Sequence, residues 1–210
     1  MNPKLLLSDI SSINECSVQF IHKILKENKE IEFQKEQNRI FVQNSGAKFL
    51  IKKEIPKKTI AIQTVKGGVG KTTMALSLGI RFWLLGAKVL FIDIDQQGNL
   101  SKTCGHPHPE YVLHDIFEKK VDAADAVVKI KDNLDILPSS IKNALLNQYM
   151  LAYSIREEKA IKGMVKKFQK DYDIIIIDCP PAIGPSVTAA TIASDMVIAP
   201  LDPDDYAIDG

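Results

Sequence analysis

The sequence has few cysteines, no long apolar run and almost no net charge. Its three cysteines, Cys16, Cys104 and Cys179, lie far apart and form no Cys-x-x-Cys pair. This excludes a disulfide framework and a zinc ribbon, and it fits a reducing compartment. No run approaches the roughly 18 apolar residues of a transmembrane helix, and the first residues do not resemble a secretory signal. We therefore expect a cytoplasmic protein without a membrane partner.

The charge is balanced overall but uneven along the chain. Of 210 residues, 27 are Lys or Arg and 26 are Asp or Glu. Taken as an average, this net charge of +1 argues against a nucleic-acid binder. Residues 1–58 hold 11 basic and seven acidic residues, a net charge of +4, whereas residues 59–210 hold 16 and 19, a net charge of −3. The change falls at a charged, proline-containing stretch around Pro56, as in a linker. We predict two domains, at residues 1–55 and 56–210.

From residue 59 onward, short apolar runs alternate with helical patterns. Predicted strands lie at residues 59–65, 88–94, 172–178 and 196–199, and predicted helices lie at 72–85 and 155–170. Gly86 is placed to end the first of these helices. Apolar runs without alternation are typical of strands buried on both faces. The pattern predicts a doubly wound, mostly parallel α/β sheet, preceded by a small α+β domain.

The strongest motif is KGGVGKTT at residues 66–73, between a predicted strand and a predicted helix. Its glycines allow backbone N–H groups to surround phosphate oxygens, and the helix N-terminus adds a positive dipole end. Lys71 would reach the β- and γ-phosphates, and the Thr72 hydroxyl would ligate Mg²⁺. Val65 stands where the general G-x-x-x-x-G-K-[ST] pattern has its first glycine. A glycine-rich turn without a ligand is the alternative, but the strand–loop–helix context favours phosphate binding.

Carboxylates follow two of the predicted strands. Asp93 and Asp95 are spaced i, i+2 and so share one face of a strand end, while Asp178 ends another strand before two prolines. A single acidic strand end is more often a turn or helix cap. In a parallel sheet, however, the carboxyl ends of the strands lie along one edge, where ligands bind. We therefore expect Lys71, Asp95 and Asp178 to converge on one phosphate–magnesium site.

Three segments, KGGVGKTT, FIDIDQQGN and YDIIIIDCPPAIG, together resemble the nucleotide motifs of the ParA/Soj branch of the MinD-type deviant Walker ATPases. The resemblance runs from about residue 58 to the end of the sequence. It implies ATP and Mg²⁺ as cofactors, slow hydrolysis and an ATP-dependent homodimer. It assigns ATP binding to Lys66, Gly67, Gly68, Val69, Gly70, Lys71, Thr72 and Thr73.

The same resemblance implies roles for individual side chains. Lys66 would reach across the dimer to the partner's phosphates, and Asp95 would position or activate the attacking water. Asp178 would hold magnesium through a water, Asp93 would support the second carboxylate and contribute at most indirectly to the metal site, and Thr73 would touch the α-phosphate. The predicted catalytic residues are Lys66, Lys71 and Asp95, and the predicted metal ligands are Thr72 and Asp178.

The basic front end reads as a small DNA-binding domain. Residues 5–28 carry two short apolar helical stripes separated by a brief turn, and Ser17 suits the N-cap of the second helix. This predicts a helix-turn-helix, and residues 39–51 read as two strands of a wing. The longer plasmid ParA proteins, which this arrangement resembles, carry such a domain. The predicted DNA contacts are Ser17, Gln19, Phe20, His22, Lys23, Lys26 and Lys48; the alternative is a helical dimerisation or docking arm.

The resemblance implies a plasmid or chromosome partition ATPase with DNA and a ParB-like protein as partners, associated with the nucleoid. An ATP-modulated transcriptional autorepressor is the alternative. A MinD-like positioning ATPase fits less well, because that class uses a C-terminal amphipathic helix that the given sequence lacks. Members of the family continue for several tens of residues beyond the position of Gly210, so we expect a C-terminally shortened ATPase domain.

Overall fold

Six strands between residues 58 and 198 form the central sheet of the computed structural model, which describes residues 4–201. The strands in chain order are β1 (Leu5–Leu6), β2 (Phe33–Glu36), β3 (Arg39–Val42), β4 (Lys58–Ile62), β5 (Val89–Asp93), β6 (Val128–Lys131), β7 (Leu134–Leu137), β8 (Ile174–Asp178) and β9 (Met196–Ile198). The central sheet has the order β6–β7–β5–β8–β4–β9, and all its pairs are parallel except β6 with β7.

Helices cover both faces of this sheet, and further helices pack around a smaller sheet formed by β1, β2 and β3. They are α1 (Leu7–Asn14), α2 (Val18–Glu27), α3 (Asn44–Leu50), α4 (Lys71–Leu84), α5 (Asn99–Thr103), α6 (Leu113–Phe117), α7 (Leu146–Ala152), α8 (Glu157–Ala160), α9 (Lys162–Phe168) and α10 (Pro185–Ala193), with a 3-10 helix at Ile141–Leu145. None of the helices within residues 4–201 is long and apolar enough to cross a membrane.

Alternate residues of the central strands enter two different cores. On β4, Ile60 and Ile62 join the core that contains Trp83 of α4, whereas Ala61 joins the core beneath α7, α9 and α10. Both faces of the sheet are therefore buried, which explains the near-continuous isoleucine of strands such as β8. The predicted doubly wound, mostly parallel sheet is confirmed.

The structure differs from the prediction for this domain in several elements, since strands β6 and β7 and helices α5, α6, α7 and α10 were not predicted. The predicted helix at 155–170 is split into α8 and α9 at Ile161, a buried residue. The predicted strand at 196–199 is not buried on both faces, since Met196 and Val197 are 52% and 42% exposed. Within the described residues β9 pairs with β4 alone and so forms an edge of the sheet. Gly86 adopts a φ of +96° just after α4, as predicted for a helix end.

The N-terminal segment folds around its own core. Its sheet is antiparallel in the order β1–β3–β2, and α1 to α3 pack against it. The fully or nearly fully buried apolar residues include Leu5, Ile10, Ile21, Val42 and Leu50. Ser17 is the N-cap of α2, because its side chain accepts a hydrogen bond from the Phe20 N–H at 3.2 Å.

The predicted wing at 39–51 is wrong in position. Its first part is β3, but residues 44–50 form helix α3, and the antiparallel partner of β3 is β2. Gln37 and Asn38 connect the two strands with φ values of 44° and 62°, the left-handed conformation of a two-residue hairpin turn. Lys48 consequently lies on α3 and not on a strand of the hairpin.

One buried side chain joins the N-terminal segment to the ATPase-like domain. Asn44, 4% exposed, donates to the carbonyls of Trp83 at 2.5 Å and Ala87 at 3.1 Å, and it accepts from the Asn133 side chain at 2.7 Å. Beside it, a Cβ on Gly86 would lie 2.6 Å from the backbone of Lys48. Hydrogen bonds and a close backbone approach therefore hold α3 against the end of α4.

We expect Asn44→Ala to destabilise the chain by about 2–3 kcal/mol, because it leaves buried carbonyl and amide groups without their partner. The midpoint of urea unfolding measures this. Ser45→Ala, at an exposed neighbouring position of the same helix, is the control and should change stability by less than about 0.5 kcal/mol. Equal midpoints for Asn44→Ala and wild type would contradict the assignment.

Candidate functional site

The carboxyl ends of β4, β5 and β8 meet at one edge of the central sheet. The parallel register sets Ile62 of β4 and Asp93 of β5 on either side of Asp178 of β8. The glycine loop leaves β4 and the two later acidic segments leave β5 and β8, so all three predicted motifs start from this edge. A ligand placed here meets them together, as is usual in open parallel sheets.

The glycine loop leads directly into α4. Gly68 and Gly70 have φ values of 77° and 85°, a left-handed conformation that glycine adopts without strain. A Cβ added at Gly67, Gly68 or Gly70 would meet no atom within 4 Å, so the glycines border open space. Lys71, 7% exposed, lies under the loop and donates from Nζ to the Lys66 carbonyl at 2.9 Å. The loop thus has the shape of an anion cradle at a helix N-terminus.

A hydroxyl and a carboxylate face each other beneath the loop. Thr72 Oγ1 donates to Asp178 Oδ2 at 2.8 Å, while Asp178 Oδ1 is buried and has no hydrogen-bond partner among the described residues. Burial raises the pKa of Asp178 to about 7, with a further contribution from the Asp93 and Asp95 carboxylates. An unsatisfied buried carboxylate oxygen next to a hydroxyl oxygen is the donor set that Mg²⁺ prefers. These residues therefore fit the ion.

Of the two buried strand-end carboxylates, Asp93 accepts more hydrogen bonds than Asp178. Its Oδ2 accepts from the Ser101 N–H at 3.0 Å and the Ser101 hydroxyl at 2.6 Å, and its Oδ1 accepts from the Asp95 N–H at 3.1 Å. Burial nevertheless raises its pKa to about 6. Both oxygens of Asp93 thus accept hydrogen bonds from neighbouring residues of the chain, and these bonds stabilise the conformation of residues 95–101.

Asp95 lies at the turn after β5 and is 7% exposed. Its Oδ1 accepts from the Gln97 N–H at 2.9 Å, and its carbonyl accepts from the Ser139 hydroxyl at 2.6 Å. The motifs alone did not indicate Ser101, Ser139 or Asn143, which lie around this turn. The signal for Ser139 was available, because the run Leu134–Leu137 followed by proline and serine has the pattern of a strand that ends at the same edge.

The remaining predicted residues fall into two groups. Lys66 and Val69 are half-buried in the loop and Thr73 is exposed at the start of α4, close to the residues above. The predicted DNA contacts lie on the N-terminal segment instead. Gln19, His22, Lys23 and Lys26 are on α2, preceded by Ser17; of these only His22 is half-buried and the others are exposed. Lys48 is separate from them on α3.

Comparison with known proteins assigns most of the chain to a family. Residues 57–210 match the AAA domain family AAA_31. The chain is 38% identical over 157 residues to the sporulation initiation inhibitor protein Soj of Bacillus subtilis, covering 73% of this chain and 61% of Soj. It is 31% identical over 160 residues to the chromosome partitioning protein ParA of Caulobacter vibrioides, covering 74% and 60%. The chain thus spans about three fifths of these relatives.

A solved structure shares the fold of this region. Cobyrinic acid a,c-diamide synthase from Mycobacterium smegmatis, with a bound ATP analogue and magnesium, superposes with a TM-score of 0.65 at 33% identity. The match covers 69% of this chain and 60% of that protein. The matched region of this chain therefore has the P-loop NTPase fold.

We expect Asp178→Asn to make the magnesium-free chain more stable at pH 8, by roughly 1–3 kcal/mol, because a folded-state pKa raised from 3.8 to about 7 means that ionised Asp178 disfavours the fold. In the wild type, the contribution of the Asp178 carboxyl to the free energy of unfolding is most favourable at low pH and falls as the pH rises from about 4 to about 7. The advantage of the variant should therefore shrink towards pH 4.5. Urea unfolding at both pH values, in the presence of a chelator, measures it.

Asp122→Asn, at an exposed position, is the control for this substitution and should differ little from wild type at either pH. An Asp178→Asn variant that is no more stable than wild type at pH 8 would show that the buried carboxylate carries no such cost.

Proposed function

Since the chain belongs to the AAA_31 family and is a ParA/MinD-type P-loop protein, we propose that it binds ATP with Mg²⁺ and hydrolyses it slowly, as the nucleotide switch of a DNA-partition system. The observation that carries this proposal is the pairing of Thr72 with Asp178 beneath the glycine loop, where one buried carboxylate oxygen remains without a partner. Such an oxygen is costly to bury, and a bound cation offsets that cost.

The chain's own residues account for binding. Backbone N–H groups of the loop from Gly67 to Thr73 surround the phosphates, and Lys71 supplies a positive charge to them. Thr72 and Asp178 would hold magnesium, directly or through water. The ion, when bound, neutralises charge that develops on the phosphate oxygens. The protein therefore contributes mainly position and charge, which is what phosphoryl transfer requires.

Hydrolysis needs a water held in line with the phosphate. Asp95, fixed at the end of β5 by its own turn and by Asp93, is the carboxylate that would orient it. Lys66 stands at the start of the loop and would act on the nucleotide of a second copy. Because this lysine would come from a second copy, hydrolysis would depend on dimer formation. The lifetime of the dimer would then be set by hydrolysis of the bound nucleotide.

Exposed apolar side chains at the same edge support a homodimer. Ile141 and Leu145 of the 3-10 helix are 70% and 51% exposed, and Ile183, which follows β8, is 82% exposed. The 3-10 helix begins two residues after Ser139, which contacts Asp95. Apolar groups beside a nucleotide site are costly to leave in water, and a second copy that covers the nucleotide would cover them as well.

DNA is the second ligand that we propose, with a ParB-like protein as the partner that acts on the switch in the nucleoid. The supporting observation is the outer face of α2, where Gln19, Lys23 and Lys26 are exposed after a capped N-terminus. The hairpin of β2 and β3, which carries Lys35 and Arg39, belongs to the same small unit. A short helix with exposed polar and basic groups is suited to a major groove. An ATP-modulated autorepressor would use the same face.

Two lysines of the loop allow the hydrolysis proposal to be tested. We expect Lys71→Ala to abolish nucleotide binding, because it removes the charge beneath the phosphates. We expect Lys66→Ala to keep binding and to reduce hydrolysis by about 10²-fold or more, as for loss of a transition-state charge. Binding of a fluorescent ATP analogue and phosphate release measure the two steps. Lys166→Ala, at an exposed position of α9, is the control; turnover of Lys66→Ala equal to wild type would refute the cross-dimer role.

The DNA proposal is tested by a double substitution on α2. Lys23→Ala with Lys26→Ala in the full chain should weaken DNA binding and reduce the salt dependence by about two phosphate contacts, a change of roughly 1.8 in the slope of log K against log salt. Fluorescence anisotropy of duplex DNA at several salt concentrations measures this. Lys166→Ala with Lys167→Ala removes the same charge from exposed positions of α9. Equal loss in both double variants would refute a site on α2.

A further inference from the structure

A second loop closes over the turn that carries Asp95. Residue Ser139, 2% exposed, follows β7 and donates from its hydroxyl to the Asp95 carbonyl at 2.6 Å. The same hydroxyl accepts from the Asn143 side-chain amide at 2.8 Å. Its backbone N–H donates to the Ser101 hydroxyl at 2.8 Å. The main chain and side chain of one buried serine thus contact both ends of the segment from Asp95 to Ser101.

The contacts form a closed ring with the carboxylate of Asp93. The Ser101 hydroxyl, which accepts from Ser139, donates to Asp93 Oδ2, and Asp93 Oδ1 accepts from the Asp95 N–H. Asn143 extends the network, since its side-chain oxygen accepts from the His114 N–H at 3.0 Å. The position of Asp95 is therefore fixed from two directions, through its N–H by Asp93 and through its carbonyl by Ser139.

The two loops also lie in contact through their backbones. Gly98, with a φ of +60°, approaches the Ser139 carbonyl so closely that a Cβ would stand 2.9 Å from that oxygen. The Asp95 turn accordingly cannot move further towards Ser139, while the hydrogen bond to the Asp95 carbonyl prevents it from moving away. This contact does not involve the glycine loop or Asp178, so it bears on hydrolysis separately from nucleotide binding.

We propose that Ser139 is a positioning residue for Asp95, holding the turn in the place from which its carboxylate acts on water. This inference rests on the proposed hydrolysis of ATP. A reacting group misplaced by about 1 Å can cost on the order of 100-fold in rate, and a group on a loop keeps its place only if the surrounding hydrogen bonds hold it. Ser139 supplies such a bond from the loop after β7, where its other hydrogen bonds join it to Ser101 and Asn143.

The test compares Ser139→Ala with Ser140→Ala in the full chain. Ser140 is the neighbouring serine, but its hydroxyl accepts from the Lys142 N–H at 3.4 Å and caps the 3-10 helix instead. We expect Ser139→Ala to lower kcat about tenfold or more, with KM for ATP and the affinity for a fluorescent analogue within about twofold of wild type. Ser140→Ala should keep the wild-type kcat. If Ser139 had only a structural role, Ser139→Ala would lower nucleotide binding and turnover together.

A second readout does not depend on turnover. In Ser139→Ala without nucleotide, amide hydrogen exchange in a peptide covering residues 95–98 should be faster than in wild type, while exchange in the α4 peptide stays unchanged. Ser139→Cys fills similar space with a much weaker donor and is used if Ser139→Ala does not fold; it should show the same direction in both measurements.

The outcomes separate this inference from the proposed function. A wild-type chain that binds but does not hydrolyse ATP would refute the proposed hydrolysis and this role with it. A Ser139→Ala variant with the wild-type kcat, or with unchanged exchange at residues 95–98, would overturn the positioning role alone. Lower kcat with unchanged KM and faster exchange at the turn would support it.

Discussion

The parallel register of β5 with β8 buries two carboxylates side by side, and this burial raises the pKa of both. Asp93 and Asp178 are opposite each other in the sheet, and both are completely inaccessible to solvent. The two carboxylates differ in the hydrogen bonds that offset the cost of burying them. Asp93 has hydrogen bonds to both oxygens from Ser101 and from the Asp95 N–H, whereas Asp178 has only the Thr72 hydroxyl. The chain therefore satisfies both oxygens of Asp93 but leaves one oxygen of Asp178 without a hydrogen bond from the described residues.

Helix α4 connects this edge of the sheet with the N-terminal segment. Its 14 residues correspond to a length of about 21 Å, with Lys71 at the phosphate loop and Trp83 next to Asn44. The N-terminal unit is therefore attached at the opposite end of the helix from the nucleotide site. A ligand on α2 and a ligand at the carboxyl-end edge of the sheet would therefore contact different residues.

The fold of residues 58–198 was largely predictable because its signals are local. Buried parallel strands read as continuous apolar runs, and glycines mark the loop before α4 and, at Gly86, the residue just beyond its end. The hairpin of β2 and β3 was displaced in the prediction because all four residues of β2 are exposed, so the strand shows no alternation. Helix α3 was missed because its buried positions include Asn44 and Gly46, which read as turn residues until their partners are known.

The site divides in the same way. The glycine loop and the acidic strand ends are contiguous in sequence and could be read from it. The strand end before Ser139 could be read as well, but its contact with Ser101 could not, because the hydrogen bond that joins the two serines links positions 38 residues apart. Only the sheet order, which places β7 beside β5, brings their hydroxyls to the turn at Asp95.

Asn44 also bears on how the chain matures during synthesis. Its acceptors are at residues 83 and 87, and the amide that donates to it is at residue 133. A nascent chain emerges from the ribosome N-terminus first, so the N-terminal unit can form its local core early but cannot complete its attachment until residue 133 has emerged and folded. The segment that is made first is therefore fully attached only after the turn between β6 and β7 has formed.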